Sequence, residues 1–284
     1  MAADSKIQWT DHTLNFWTGC KKVSAGCKYC YMYRDKERYG KDPTEVVPVS
    51  HNTIVSVLKK AKPGDKIFTC SWSDFFIEEA DTWRRIAWNI IRAHPQFIWQ
   101  ILTKRPERMK ECLPEDWGDG WPHVWLGVSV ENQEQANIRI PTLLATPAAL
   151  RWLSCEPLLG PVDLGNISIP DPNDTSVTAY IDSLAGKKVT WLFGDVIEKM
   201  PAIDWVVVGG ESGNDKGKYL YRPCDMEWIA ELLYQCFYHE VPGYMKQLGT
   251  HLAKVHKLKD RHGGDDSEWP HHFLQMRQFP DTKL

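Results

Sequence analysis

Apolar residues along this chain fall into short continuous runs, separated by segments of helical period, and the two kinds of segment alternate. Residues 66–76 (KIFTCSWSDFF) predict a buried strand with its C-terminal loop. In 81–94, Trp83, Ile86, Ala87, Ile90 and Ile91 recur at spacings that share one helical face. Further strands are predicted at 96–102 (QFIWQIL), 123–130 (HVWLGVSV), 149–154 (ALRWLS) and 205–208 (WVVV). Between them, 104–112 predicts a short helix with Pro106 in its first turn. The segment 133–145 predicts a helix carrying Ala136, Ile140, Leu143 and Leu144, in which Pro141 forces a kink or a new start. A last helix over 225–238 places Met226, Ile229, Leu232, Leu233 and Cys236 on one face. Such alternation implies parallel strands joined by right-handed crossovers. With one more strand before Cys20, about six βα units result, an α/β fold of partial (βα)6 TIM-like barrel type.

Two stretches break the alternation. Residues 165–201 carry PDPNDTS and GKK turns between short β-like runs, and predict an insertion after strand five. Residues 254–284, with DRHGGDDSEWPHH, are too polar and too interrupted by Gly and Pro for a core element; they predict a C-terminal extension or lid on a barrel spanning 1–253. Hydrophobic residues at 43% and charged residues at 25% exclude a disordered or low-complexity chain. No apolar run approaches the roughly 20 residues that span a bilayer. The start MAADSKIQWTDH lacks the basic and apolar regions of a signal peptide, so no membrane partner and a cytoplasmic setting are expected. Thiols stay reduced there, and the eight cysteines read as ligands, reactive thiols or core residues.

In α/β barrels the chemistry sits at the C-terminal ends of the strands. Those ends read SWSD (Ser71–Asp74), TKR (Thr103–Arg105), SVEN (Ser129–Asn132), SCEP (Ser154–Pro157) and GGESG (Gly209–Gly213). Four clusters include a carboxylate, Asp74, Glu131, Glu156 and Glu211, beside Lys104 and Arg105. Each carboxylate alone could cap the helix that follows it; four on one rim point to a site. Lys104 and Glu211 are candidates for direct chemistry, and Lys246 either projects into the same mouth or is a solvated surface lysine. Cys70 and Cys155, near strand ends, either relay a hydrogen atom or are core thiols.

The first unit is the most specific. Trp17-Thr-Gly-Cys20 leads through KKVSAG into Cys27-Lys-Tyr-Cys30-Tyr, a C-x6-C-x2-C spacing before a helix starting near Tyr31. Three thiolates suit a [4Fe–4S] cluster with one open iron. Structural zinc wants four ligands in paired short spacings, and a fourth could come from His12, His51 or Cys70. A non-catalytic zinc module serving a partner protein therefore stays open, as does a metal-free acid–base enzyme using Asp74, Glu131, Glu156 and Glu211.

The run C-x6-C-K-Y-C-Y resembles a lengthened form of the radical SAM cysteine motif, with three extra residues between its first two cysteines. The whole chain resembles a phage-associated three-Cys-motif family of radical SAM type, largely of unassigned function. The resemblance rests on NFWTGC (Asn15–Cys20), Ser73-Asp74, TKRP (Thr103–Pro106), WLGVSVEN (Trp125–Asn132), LSCEPLLGP (Leu153–Pro161), VGGESG (Val208–Gly213) and GGDDSEWP (Gly263–Pro270). It implies a partial barrel with Cys20, Cys27 and Cys30 holding a [4Fe–4S] cluster whose open iron binds S-adenosyl-L-methionine. By position it implies that Tyr29 packs on the adenine, Ser73 and Asp74 hold the amino group, and Ser129 and Glu131 contact the ribose, with Glu156 after the next strand.

Reductive cleavage to a 5′-deoxyadenosyl radical and hydrogen abstraction would follow, with a flavodoxin- or ferredoxin-like electron donor. Phage association suggests a modified DNA base or nucleotide as substrate, for example isomerisation of an amino-acid-decorated thymine in DNA hypermodification, and places a phage-encoded protein in the host cytoplasm. A net charge of -3 supplies no global field for a polyanion. Lys21, Lys22, Lys28, Arg34, Lys36 and Arg38 make the cysteine loop and first helix locally basic, with Asp35 and Glu37 offsetting them. Of the tryptophans, Trp72, Trp99, Trp125, Trp152 and Trp205 are expected to fill the barrel and Trp83, Trp88 and Trp228 to pack from helices. Trp17 and Trp269 stand out as candidates for another role.

Overall fold

A computed structural model describes residues 5–170, 178–191, 195–270, 273 and 276–281. The chain opens with β1 (His12–Leu14) and a short strand β2 (Trp17–Thr18), then the cysteine loop and α1 (Tyr31–Arg38). β3 (Val47–Pro48) returns antiparallel to β2 and leads into α2 (His51–Leu58) and β4 (Lys66–Thr69). Strands and helices then alternate: α3 (Asp81–Ala93), β5 (Ile98–Thr103), α4 (Met109–Cys112), β6 (Val124–Ser129), α5 (Gln133–Leu144) and β7 (Leu150–Cys155). Four strands form a separate antiparallel sheet: β8 (Ile167–Pro170), β9 (Thr178–Asp182), β10 (Lys187–Trp191) and β11 (Asp195–Lys199). The barrel resumes with β12 (Trp205–Gly209), α6 (Met226–Tyr238), β13 (Gly243–Gln247) and α7 (Gly249–Val255).

Seven strands make one parallel sheet in the order β1-β4-β5-β6-β7-β12-β13. The sheet curls into a half-barrel, because Trp9, just before β1, meets Trp152 on β7 and Trp205 on β12 at centroid distances of 5.2 and 6.1 Å. The insertion lies where expected, after the fifth barrel strand, and its small sheet occupies the crossover between β7 and β12. The expected six strands become seven, since GYMKQ forms β13. Only Tyr244 and Met245 carry its apolar signal, too little for a strand to be read from pattern alone.

Strands buried on both faces explain the continuous apolar runs; every residue of β6 and β12 is buried. Inside the curl, Trp9, Phe68, Ile98, Trp125, Trp152, Trp205 and Tyr244 form one aromatic-rich cluster that plugs the lower half. Each such ring removes about 150–250 Å² from water, so the interior is filled rather than open. Trp99 instead faces the outer layer beside Phe16, and Trp72 packs against Met32, Tyr33 and Tyr219.

Three local expectations change. On α3 the buried residues are Arg84, Ala87, Trp88 and Ile91, while Ile86 is 57% exposed. Arg84 takes the inward place because its guanidinium donates to Phe75 O, Ile77 O and Asp81 Oδ1 at 3.0, 2.6 and 2.5 Å. α5 runs through Pro141 as one helix, capped at its start by Asn132 Oδ1 accepting from Gln135 N at 3.0 Å. α2, capped by Ser50, has no counterpart in the predicted pattern.

The described residues of the C-terminal extension follow the free edge of β13. Leu248 N donates to Gly263 O at 2.9 Å at the top of the edge, and Gln278 N to Gly243 O at 3.0 Å at the bottom. It also bridges the gap to the first strand, where Gln8 Nε2 donates to Gly264 O at 3.0 Å. Covering an exposed strand edge removes a template for aggregation. Among the described residues no helix is long and apolar enough to cross a membrane.

Candidate functional site

The cysteine loop leaves β1 at the C-terminal mouth of the half-barrel and is tied down along its length. Gly19 has φ +99°, and a Cβ there would stand 2.0 Å from Glu45 O, so glycine is required where the loop passes under that carbonyl. Gly19 N donates to Trp72 O at 2.9 Å, and Ser73 Oγ donates to Gly19 O at 2.5 Å. Tyr33 OH donates to Cys20 O at 2.5 Å, and Arg105 Nη2 to Lys21 O at 2.8 Å. Lys36, one of the residues that make this stretch basic, is buried, with Nζ donating to Glu45 O at 2.9 Å. Cys30 is the residue preceding α1.

The three thiols differ in environment. Burial and the charge of Asp74 push Cys20 up to about 12, with Arg105 Nη1 at 3.8 Å from its sulfur in partial compensation. At Cys27 burial opposes the thiolate, but Lys104 and the N–H groups of Val23 and Ser24 outweigh it and hold the thiol below its ordinary value. Burial raises Cys30, against N–H donors from Met32 and Tyr33 at the start of α1. Lys104, whose Nζ donates to Ser129 Oγ at 3.0 Å, thus acts on both Cys27 and Cys30.

All four rim carboxylates are engaged by protein partners. Asp74 accepts from Thr103 Oγ1 at 2.6 Å, Phe76 N at 3.0 Å and Lys104 N at 2.9 Å, and pairs with Arg105 at 3.2 Å. Glu131, wholly buried, accepts from Ser24 Oγ, from Gly26 N at 3.1 Å and from Arg139 Nη1 at 2.8 Å. Burial works against its charge, but Arg139 and Lys104 hold its carboxyl below the ordinary range. Glu156 pairs with Lys246 at 2.6 Å and accepts from Gln247 Nε2 at 2.9 Å. Glu211 receives Arg222 through Nε at 2.9 Å and Nη2 at 2.5 Å.

The structure therefore gathers Cys20, Cys27, Cys30, Ser73, Asp74, Lys104, Ser129, Glu131, Glu156, Glu211 and Lys246 at the strand ends and their loops. Tyr29 faces Arg222, whose guanidinium lies 5.4 Å from its ring centre. Two candidates are set apart. Cys70 has φ +55° and is buried in the outer apolar layer, which pushes its thiol up to about 12. Cys155 lies in the same layer near Cys236, and burial raises it too. Trp17 is buried and donates to Asp74 O at 3.0 Å; Trp269, within the extension, is buried and donates to Gly263 O at 2.8 Å. Both are framework residues. Arg139 and Arg222 carry no motif signal; their importance follows only from the ion pairs they make.

Among the described residues, no three His, Cys, Asp or Glu side chains converge on a single metal ion. A [4Fe–4S] cluster asks for something different, thiolates bound to separate irons with hydrogen bonds to the sulfurs tuning the potential. Three thiols on one loop, with N–H donors to two sulfurs and a guanidinium near the third, fit that demand. No curated protein and no solved structure matches the chain. The profile of one family, described as a protein of unknown function (DUF5131), matches residues 4–272. That match takes in the cysteine loop, all seven barrel strands and the insertion, and the chain belongs to this family.

Proposed function

We propose that the protein is a radical SAM enzyme of partial-barrel type, holding a [4Fe–4S] cluster on Cys20, Cys27 and Cys30. The observation that supports it best is the loop of three thiols leaving the first strand at the mouth of a curled parallel sheet, where α/β barrels carry their chemistry. When bound, such a cluster supplies the open iron and the electron that cleave S-adenosyl-L-methionine to methionine and a 5′-deoxyadenosyl radical. The chain's own residues prepare the place. Lys104 and the loop N–H groups favour the Cys27 thiolate, and Arg105 stands beside Cys20. Ser73 and Asp74 fix the loop and the 103–105 turn, and Glu131 fixes the spacer between the cysteines. The aromatic plug closes the barrel below, so solvent reaches the site from the mouth alone on that axis.

Anaerobic reconstitution with iron and sulfide tests this reading. About four irons per chain and thiolate-to-iron charge-transfer absorbance are expected. So is release of 5′-deoxyadenosine from S-adenosyl-L-methionine under a flavodoxin- or ferredoxin-like donor or dithionite. All three signals should vanish in Cys20→Ala/Cys27→Ala/Cys30→Ala. Stoichiometric zinc with no such absorbance would replace the reading with a zinc module. Modified DNA bases and nucleotides, the class the sequence resemblance implies, come first in assays for label transfer into 5′-deoxyadenosine.

A further inference from the structure

The spacer between Cys20 and Cys27 is gripped at three consecutive residues by two charged side chains from elsewhere in the chain. Glu131 accepts from Ser24 Oγ and Gly26 N, and Arg222 Nη1 donates to Ala25 O at 2.8 Å. Each gripping group is itself locked, Glu131 by Arg139 at 2.8 Å and Arg222 by two bonds to Glu211. Gly26 is matched to this grip: a Cβ there would stand 2.9 Å from Glu131 Oε1. The Glu131–Arg139 pair, 0% and 3% exposed, is buried deeply enough to give little net stability against apolar replacements, so its use here points to a demand for fixed geometry.

We infer that Glu131 and Arg222 are positioning residues that set the Cys27 sulfur and the Tyr29 ring as one rigid unit. They act through the loop and touch neither sulfur. Cys27 follows the gripped residues directly, and its N–H donates to Ser24 O at 3.0 Å within the grip. Tyr29 is held from the far side, since the same guanidinium that binds Ala25 O faces its ring. The grip is made by protein groups alone, so it is expected to persist in the metal-free protein. The consequence at the metal rests on the cluster reading; the grip itself does not.

Two arms separate these. In the metal-free protein, Arg222→Ala and Ser24→Ala should each speed amide hydrogen exchange across residues 24–28 by about tenfold, the worth of one hydrogen bond to a charged group. Exchange in β6 and β7 should not change. In the reconstituted protein, Arg222→Ala should lose its cluster to a chelator about tenfold faster and shift the electron paramagnetic resonance signal of the reduced cluster. Arg222→Lys, which keeps one donor for Ala25 O, should restore part of both. Unchanged exchange, or a lowered melting temperature with an unchanged cluster signal, would overturn the inference. If the wild-type chain takes up no cluster, the proposed function fails while the exchange arm still decides the grip.

Discussion

Gly127 sits on β6 facing the barrel interior, and it offers a measure of how tightly the aromatic plug is packed. A Cβ at this position would lie 2.5 Å from both Cε2 and Nε1 of Trp152 and 2.7 Å from its Cδ1. The ring cannot retreat, since Trp152 is fully buried and held by Trp9 and Trp205 at centroid distances of 5.2 and 5.4 Å. Overpacking of this kind costs about 1–3 kcal/mol. The backbone at Gly127 has no positive φ, so Gly→Ala also returns about 0.4–1 kcal/mol by restricting the unfolded chain. Gly127→Ala should therefore destabilise by about 1–2 kcal/mol net, lowering the melting temperature by roughly 2–6 °C in a domain of this size.

Urea denaturation with a double-mutant cycle isolates the cause. Trp152→Leu removes the atoms the new methyl would meet, at a cavity cost of about 2–4 kcal/mol. No hydrogen bond is lost with it, because Trp152 Nε1 has no partner among the described residues. Gly127→Ala in that background should be neutral or stabilising, giving a coupling of about 1 kcal/mol or more. Additive effects would show that the interior yields elsewhere and that Trp152 does not dictate the glycine.

Arg139→Ala should cost about 3–5 kcal/mol of unfolding free energy measured in urea, because it leaves the buried Glu131 carboxylate without its arginine. Asp81 is held below the usual carboxylate range; burial opposes its charge, and hydrogen bonds from Arg84 and Arg108 outweigh burial. Its contribution is present above the unfolded value near about 4 and lost as pH falls below it, so Asp81→Asn should flatten the decline of melting temperature between about pH 5 and 3. Truncation after Ala253 should give aggregated protein by size-exclusion chromatography, since it strips the β13 edge of its Gln278 and Gly263 partners and uncovers the surface that Trp269 and Phe273 bury. A monodisperse truncated chain would show that the edge needs no cover.

How much was legible in the sequence follows from how local the signal was. β4 to β7, β12 and α6 announce themselves because strands buried on both faces must be apolar throughout, and Asp225 marks the start of α6 by accepting from Glu227 N at 3.0 Å. β13 escapes because its outer neighbour is the extension, whose backbone supplies hydrogen bonds without an apolar pattern. Polarity marks an extension or lid but not its path; Gly263, with φ +62°, and Asp260, accepting from His262 N and Gly264 N, shape the turn that brings it to an edge. On α3 the expected face holds for Ala87 and Ile91, with Trp83 and Ile90 packed against the core, and fails at Ile86; Arg84 looks solvated in sequence, while three backbone and side-chain oxygens make it a core residue.

The rim carboxylates carry the sharper lesson about sites. Their spacing after strands marks the mouth correctly, but a carboxylate in sequence does not disclose its partner. Asp74, Glu131 and Glu211 each meet an arginine, and those pairs are spent on holding the 103–105 turn and the cysteine spacer. Glu156 meets Lys246 instead, at 2.6 Å, beside Gln247 and Ser212. Both members of that pair keep some exposure, 16% and 20% of the side chain, where Glu131 and Arg139 keep 0% and 3%. A lysine on a flexible stem is held less rigidly than Arg139, which is buried, or Arg222, which grips Glu211 through two bonds. Of the four carboxylates, Glu156 is thus the one paired with a lysine, while the other three pair with arginines that hold the 103–105 turn and the cysteine spacer.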